Sequence, residues 1–344
     1  MGEYLPVGKL PVDLLRTLIG EVHITDSRVV QGPGVGIDCT VIDAGAKYLV
    51  VKTDPITFTA ANIGWYAVTI CANDIATTGA IPRWFLATIL LPEARTTTKL
   101  VKHIQAQIIQ SCTEIGATYL GGHTEITYGI ERTILVGIMI GEVEKDRLIS
   151  PLGAQSGDRL LLTKGIPIEA TAVLAHEFST RLLSGISEEE LSQAGNFNLQ
   201  PGISILKDAQ IAIASGTVHA MHDPTEGGLA TALWELAEAC QLSVEVELDK
   251  IPIYKLSKKI CKIFNIDPLG AIASGSLLIA VPRDDVMNVQ QGLHTAEIAV
   301  TEIGGLSDCI FERHSKDPIV FYKKNGENFT FSRFERDEIG KLFS

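Results

Sequence analysis

The chain has 344 residues, 46% of them hydrophobic and 20% charged, with a net charge of −12 at neutral pH. That length suits two domains of ordinary size with ample core. The acidic balance and the lack of any Lys/Arg-rich run argue against nucleic acid or an anionic membrane as a partner, and no apolar run approaches the ~20 residues of a membrane span.

Residues 1–30 read as a leader with one short helix over 12–19, followed by a glycine-rich loop, Gln31-Gly-Pro-Gly-Val-Gly36. Strands are expected over 39–42 and 48–52, joined by a turn through Asp43-Ala-Gly-Ala-Lys47; the β-branched flanks and turn composition make them a hairpin. A helix over 61–78 ends at Gly79, with Pro82 beyond it as a stop signal. A strand over 84–91, an amphipathic helix over 96–115, the segment Tyr119-Leu120-Gly-Gly-His-Thr-Glu125 and a strand over 132–143 complete the first half. Turn residues crowd into Ser150-Pro-Leu-Gly-Ala-Gln-Ser-Gly-Asp158, so the domains are expected to be 1–152 and 153–344. The second half repeats the α/β texture. Strands are predicted over 159–163, 218–221, 244–248 and 276–281, and helices over 169–177, 203–215, 229–240 and 255–264, with a short polar tail after them.

The six cysteines, Cys39, Cys71, Cys112, Cys240, Cys261 and Cys309, form no C-x-x-C and read as buried free thiols. Without a disulfide framework or a secretory leader, a cytoplasmic protein is expected.

Three aspartates carry the chemistry. Asp38 opens the first strand of the hairpin and Asp54 follows the second, with the turn midway between them, so the antiparallel register returns both to one end of the ladder. Two carboxylates there are either solvated strand ends or share a cation. On the next helix Ile63, Ala67, Ile70 and Asp74 fall on one face, and a carboxylate continuing an apolar stripe favours a buried partner. Hard cations such as Mg²⁺ join one or two carboxylates to substrate phosphates. The loop containing Gly34 and Gly36 offers backbone N–H groups for such phosphates, and Gly121-Gly122 marks a second close backbone approach. No P-loop or dinucleotide fingerprint is present.

In order along nearly the whole chain, six blocks resemble the AIR (aminoimidazole-ribonucleotide) synthase superfamily. They are Gly36-Ile-Asp-Cys-Thr-Val-Ile42, Thr53-Asp54, Asn73-Asp-Ile-Ala-Thr-Thr-Gly-Ala-Ile-Pro82, Gly121-Gly-His-Thr124, Asp223-Pro-Thr-Glu-Gly-Gly-Leu-Ala230 and Asp267-Pro-Leu-Gly-Ala-Ile-Ala-Ser-Gly-Ser-Leu-Leu278. The nearest likeness is to the HypE branch and its AIR-synthase-related relatives. The resemblance implies a two-domain α/β (α+β), PurM-like fold: an N-terminal dimerising sheet domain that binds ATP, and a C-terminal α/β domain that carries substrate contacts. It implies a homodimer using ATP and Mg²⁺, with Asp38, Asp54 and Asp74 toward metal. Gly34, Gly36, Asn73, Gly121, Gly122, Thr124, Asp223, Thr225, Gly227 and Gly228 would lie toward nucleotide. The implied chemistry is phosphoryl transfer to a carbonyl or amide oxygen of a small molecule or a partner protein. The alternative is a homodimeric nucleotide-binding or maturation-partner protein without turnover.

The departures are as specific as the matches. Ile37 stands where the family pattern has an aspartate. His123 stands where it has another, and it would contact phosphate, act as an acid/base or be a structural histidine. Glu226 replaces an arginine and opposes an anion at the following helix, so Thr225 is expected to be that helix's N-cap. The chain ends Gly-Lys-Leu-Phe-Ser344 rather than in the Pro-Arg-Ile-Cys tail of HypE, so HypE's carbamoyl chemistry is not expected. Selenophosphate synthesis is disfavoured because the loop 31–36 has neither cysteine nor lysine.

Overall fold

The computed structural model describes residues 4–5, 8–57, 62–308, 320–324, 327–330 and 333–343; Cys309 lies outside them. The chain forms two compact units, one of Ile24–Pro33 and Asp38–Leu148, the other of Met1–His23, Gly34–Ile37 and Ile149–Ser344. Helix α1 (Val12–Gly20) belongs to the latter.

The unit built on Asp38–Leu148 contains β1 (Val29–Gln31), β2 (Thr40–Asp43), β3 (Lys47–Ile56), α2 (Ile63–Thr77), β4 (Ile81–Pro92), α3 (Thr98–Glu114), β5 (Thr118–Thr127) and β6 (Ile134–Glu144). Its sheet runs β1-β2-β3-β6-β4-β5. The hairpin forms as its turn chemistry dictates. Gly45 takes a φ of 93°, and the Asp43 carboxylate accepts the Gly45 N–H at 2.8 Å. Strand β3 runs four residues past the expected end at Lys52, because β6 pairs with it from Lys47↔Glu144 to Ile56↔Leu135. Asp54 therefore lies inside a strand instead of following one.

Alternation along β6 buries Leu135, Met139 and Val143 beneath α2, which lies across β3, β4 and β6. Gly137 and Gly141 let the helix sit low. A Cβ at Gly137 would fall 2.8 Å from Cys71 Sγ, and one at Gly141 2.5 Å from Ile75 Cγ2. All but one residue of α2 are buried, so Asp74 enters a fully enclosed helix rather than one apolar stripe. The opposite face of the sheet leaves Leu49, Val51, Leu86, Val136, Ile138 and Ile140 only half-buried.

The second unit continues with β7 (Arg159–Thr163), α4 (Glu169–Glu177), α5 (Ser179–Leu182), α6 (Glu188–Gly195), α7 (Leu206–Ser215), β8 (Ala220–His222), α8 (Gly228–Cys240), β9 (Ser243–Glu247), α9 (Lys255–Phe264), β10 (Leu278–Val281), α10 (Val286–Thr295), β11 (Val300–Ser307), β12 (Val320–Lys324) and β13 (Glu327–Thr330). Its sheet order is β13-β12-β9-β11-β7-β10-β8. Leu160, Leu162, Leu229, Leu233, Val244 and Ile303 anchor its core. The central strand β11 escapes sequence prediction because Gly304 and Gly305 interrupt its pattern. They are needed for close strand approach, since a Cβ at Gly304 would fall 1.9 Å from Glu245 O.

Candidate functional site

The sheet and α2 bring the three aspartates to one point, and a lysine lies at its centre. Lys52 Nζ is 3.2 Å from Asp74 Oδ1, 3.9 Å from Asp38 Oδ1 and 4.0 Å from Asp54 Oδ2. Lys52 and Asp54 are two residues apart in β3, so both project from the face that α2 covers. Asp74 comes down from α2, whose backbone is tied to the hairpin where Cys39 Sγ–H donates to Asp74 O at 3.4 Å. Thr77 Oγ1 donates to the same carbonyl at 2.7 Å. The Asp74 side chain is 4% exposed and that of Lys52 14%, whereas Asp38 and Asp54 keep 28% and 32%. The cluster is thus buried at Asp74 and open to solvent at the other two.

Its electrostatics follow. Burial, the largest influence, pushes the Lys52 pKa down, but Asp74, Asp38 and Asp54 together outweigh it and hold the ammonium well above its ordinary value. Cys71, on the buried face of α2, is pushed far up, first by burial and then by the fields of Asp54 and Asp74, so it is an inert thiol. Burial likewise raises Cys112 and Cys261 to about 12 and Cys240 to about 11. Cys39, Cys71, Cys112, Cys240 and Cys261 are all free thiols, with Cys240 only half-buried.

His123 is not brought to the aspartates by its own sheet. The register aligns Asp54 with Gly137, Gly137 with Ala87, and Ala87 with Gly122, so β3 and β5 lie three strand spacings apart, roughly 14 Å. His123 pairs with Thr88, which places it on the face opposite Asp54. Its ring is 68% exposed and meets Glu125 Oε2 at 3.4 Å, so it is not a buried structural histidine. Gly121 and Gly122 lie within β5. Their φ values of 94° and 143° form a bulge, and a Cβ at Gly122 would fall 2.0 Å from Ala87 O. Close approach to β4 therefore accounts for glycine at position 122. Thr124 is exposed on the same strand, and Asn73 is fully buried in α2.

The remaining sequence-derived site residues belong to the second unit. Gly34 and Ile37 form a tight bridge, and Gly36, at φ 74°, packs so closely on α8 that a Cβ would fall 2.4 Å from Glu235 O. Asp223, 1% exposed, follows β8. Helix α8 is capped by Gly227, not by Thr225, which supplies only a carbonyl to the Gly228 N–H. Gly227 and Gly228 have φ of 81° and 64°, and a Cβ at Gly228 would fall 2.4 Å from Leu269 O. The anion at this helix start is Asp337, whose Oδ2 accepts the Gly227 N–H at 2.7 Å across 110 residues of sequence. Burial, with the charge of Glu226 adding to it, raises the Asp337 pKa to about 6.

Lys52 and Asp337 are the site residues that sequence reasoning missed. Lys52 left a readable signal, its two-residue spacing from Asp54 in a strand. Asp337 left none, because its partner is distant in the chain.

Comparison with known proteins extends this picture. The N-terminal domain of AIR synthase related proteins matches residues 36–143, and the C-terminal domain of the same proteins matches residues 155–309. A putative hydrogenase expression/formation protein of Methanocaldococcus jannaschii is 29% identical over 292 residues, covering 81% of each chain. Carbamoyl dehydratase HypE of Escherichia coli is 27% identical over 298 residues, covering 84% of each. Among solved structures, one of a HypE–HypF complex aligns with a TM-score of 0.73 at 19% identity, covering 93% of this chain and 99% of that one. Hydrogenase maturation protein HypE in complex with ATP aligns with a TM-score of 0.71 at 20% identity, covering 97% of each. These structural likenesses show a shared two-domain, PurM-like fold.

Proposed function

The chain belongs to the AIR synthase-related family, and on that premise we propose that it is an ATP- and Mg²⁺-dependent enzyme that activates a carbonyl or amide oxygen by phosphoryl transfer. The observation that carries this reading is the convergence of Asp38, Asp54 and Asp74 at one end of the β2–β3 hairpin. The ATP complex of a HypE with the same fold supports a nucleotide as the ligand. Carboxylate oxygens are the donors a hard cation takes, and the partial exposure of Asp38 and Asp54 leaves that side open, so the residues fit magnesium. When bound, the ion would neutralise charge on the transferring phosphoryl group. Asp74, fixed by its buried helix, would orient the cluster, while Asp38 and Asp54 would face the phosphates.

In this reading the N-terminal domain expected over 1–152 carries the metal and most nucleotide contacts through its Asp38–Leu148 portion, and the C-terminal domain expected over 153–344 carries substrate contacts and the nucleotide candidates Asp223, Thr225, Gly227 and Gly228. The half-buried apolar sheet face of Leu49, Val51, Val136 and Ile138 would seat a second copy of the chain as a homodimer. The substrate would be a small molecule or a group borne by a partner protein; a protein partner is in keeping with the HypE–HypF complex of the same fold. Among the described residues no helix is long and apolar enough to cross a membrane.

One observation favours a second reading, a nucleotide-binding maturation partner without turnover. His123, the acid/base candidate, stands on the opposite sheet face from the aspartates. Calorimetry with Mg·ATP on wild type and Asp54→Asn tests the nucleotide site; no binding by wild type, or equal affinity in both, would refute it. ADP release that depends on Asp74 selects the enzyme. Binding without ADP release, with candidate amides present, selects the partner protein.

A further inference from the structure

We infer that the Lys52 ammonium is a resident cation of the aspartate cluster and takes the place of one metal ion there. The inference rests on the reading of the cluster as a metal–nucleotide site. Lys52 Nζ lies within 4.0 Å of a carboxylate oxygen from each of the three aspartates, the position a shared cation would take. Three carboxylates and one ammonium leave two negative charges, which a single divalent ion balances. A strongly hydrated ammonium on a flexible stem also competes with a metal for the same oxygens. The ammonium thus acts toward fewer divalent ions in the cluster and weak metal binding in the nucleotide-free chain. The backbone of Lys52 is held in β3, paired with Met139, so the ammonium reaches the cluster from a fixed strand position.

Manganese(II) binding tests this by electron paramagnetic resonance on the full chain, with and without a non-hydrolysable ATP analogue. Lys52→Met is expected to bind nucleotide-free Mn²⁺ on the order of tenfold more tightly than wild type, and to take up one more ion per chain. Equal affinity and stoichiometry in the two proteins would overturn the inference. Calorimetry with the analogue keeps the two readings apart. Wild type that binds analogue, with no gain of manganese in Lys52→Met, defeats the role of Lys52 alone. A gain of manganese with no analogue bound by either protein defeats the nucleotide reading alone.

Because the substitution leaves Asp74 buried without its ammonium, melting is followed with and without Mn²⁺. A variant that folds only with the metal supports the inference. If it folds in neither condition, Asp74→Asn is compared with Asp74→Asn/Lys52→Met. The same gain is then expected at Asp38 and Asp54, and its absence overturns the inference.

Discussion

Each unit buries one lysine against an aspartate, and the two pairs behave in opposite ways. In the first unit Lys52 faces three carboxylates, and their summed attraction holds its proton more tightly than water would. In the second, Lys164 has a single carboxylate, Asp208 at 3.3 Å, and also donates to Ser204 O at 2.7 Å, Gly275 O at 2.9 Å and, more weakly, Gly202 O at 3.5 Å. There burial dominates and the lysine pKa falls. Asp208 is further held by Thr163 Oγ1 at 2.8 Å, and Thr163 Oγ1 accepts the Leu277 N–H at 3.0 Å. Lys164 is therefore a clasp whose charge is matched and whose donors are used. Lys52 sits in a surplus of negative charge that faces water on one side. A matched pair holds a loop, whereas an unmatched cluster has capacity left for a ligand.

The comparison is broken or sharpened by substitution. The largest effect is expected for Lys164→Met, which strands Asp208 at 2% exposure and should cost about 3–5 kcal/mol in urea unfolding. Added Mg²⁺ should not restore that loss, whereas it should restore Lys52→Met. Equal rescue of both would erase the distinction.

Asp337 provides the next test, as a buried carboxylate held by the Gly227 and Ile339 N–H groups. Its pKa is raised from 3.8 to about 6, so the folded chain holds this proton more tightly than the unfolded one. The stabilisation is full below the unfolded value and is lost as pH climbs through about 6, an effect of about 3 kcal/mol. Urea midpoints of wild type and Asp337→Asn between pH 4 and 7 should therefore shift in favour of the variant as pH rises; a constant difference would contradict the assignment.

Asp54→Asn should weaken Mg·ATP binding by roughly tenfold, about 1.4 kcal/mol, with little change in melting temperature because the side chain is partly exposed. The smallest effect belongs to His123→Ala, expected to stay within about 0.5 kcal/mol in stability, since the ring is exposed at the sheet edge. A stability change above that range would place His123 in packing that the single chain does not have.

Legibility varied with how local each cause was. Strand β7 and helices α4 and α9 begin and end where the sequence predicts, because apolar runs and turn residues define them within a few positions. Helix α6 carried a signal that could have been used, since Ser187 and Glu190 form a capping box. Strand β11 carried little, because glycines chosen for close pairing look like a loop. The length of β3 depended on β6, which lies some eighty residues away in sequence.

By itself the sequence determined the family through its motif blocks, the mixed α/β class, the pairing of Asp38 with Asp54 and the inward face of Asp74, because a hairpin register and a helix period are local geometry; that Asp74 meets the other two depends on α2 packing across β3. Tertiary structure alone decided three other things. It placed Lys52 among the carboxylates, put His123 on the opposite sheet face, and brought Asp337 to the start of α8. Each depends on which strand or helix packs against which, and so on contacts between residues far apart in the chain. Composition and periodicity do not encode those contacts at either partner alone.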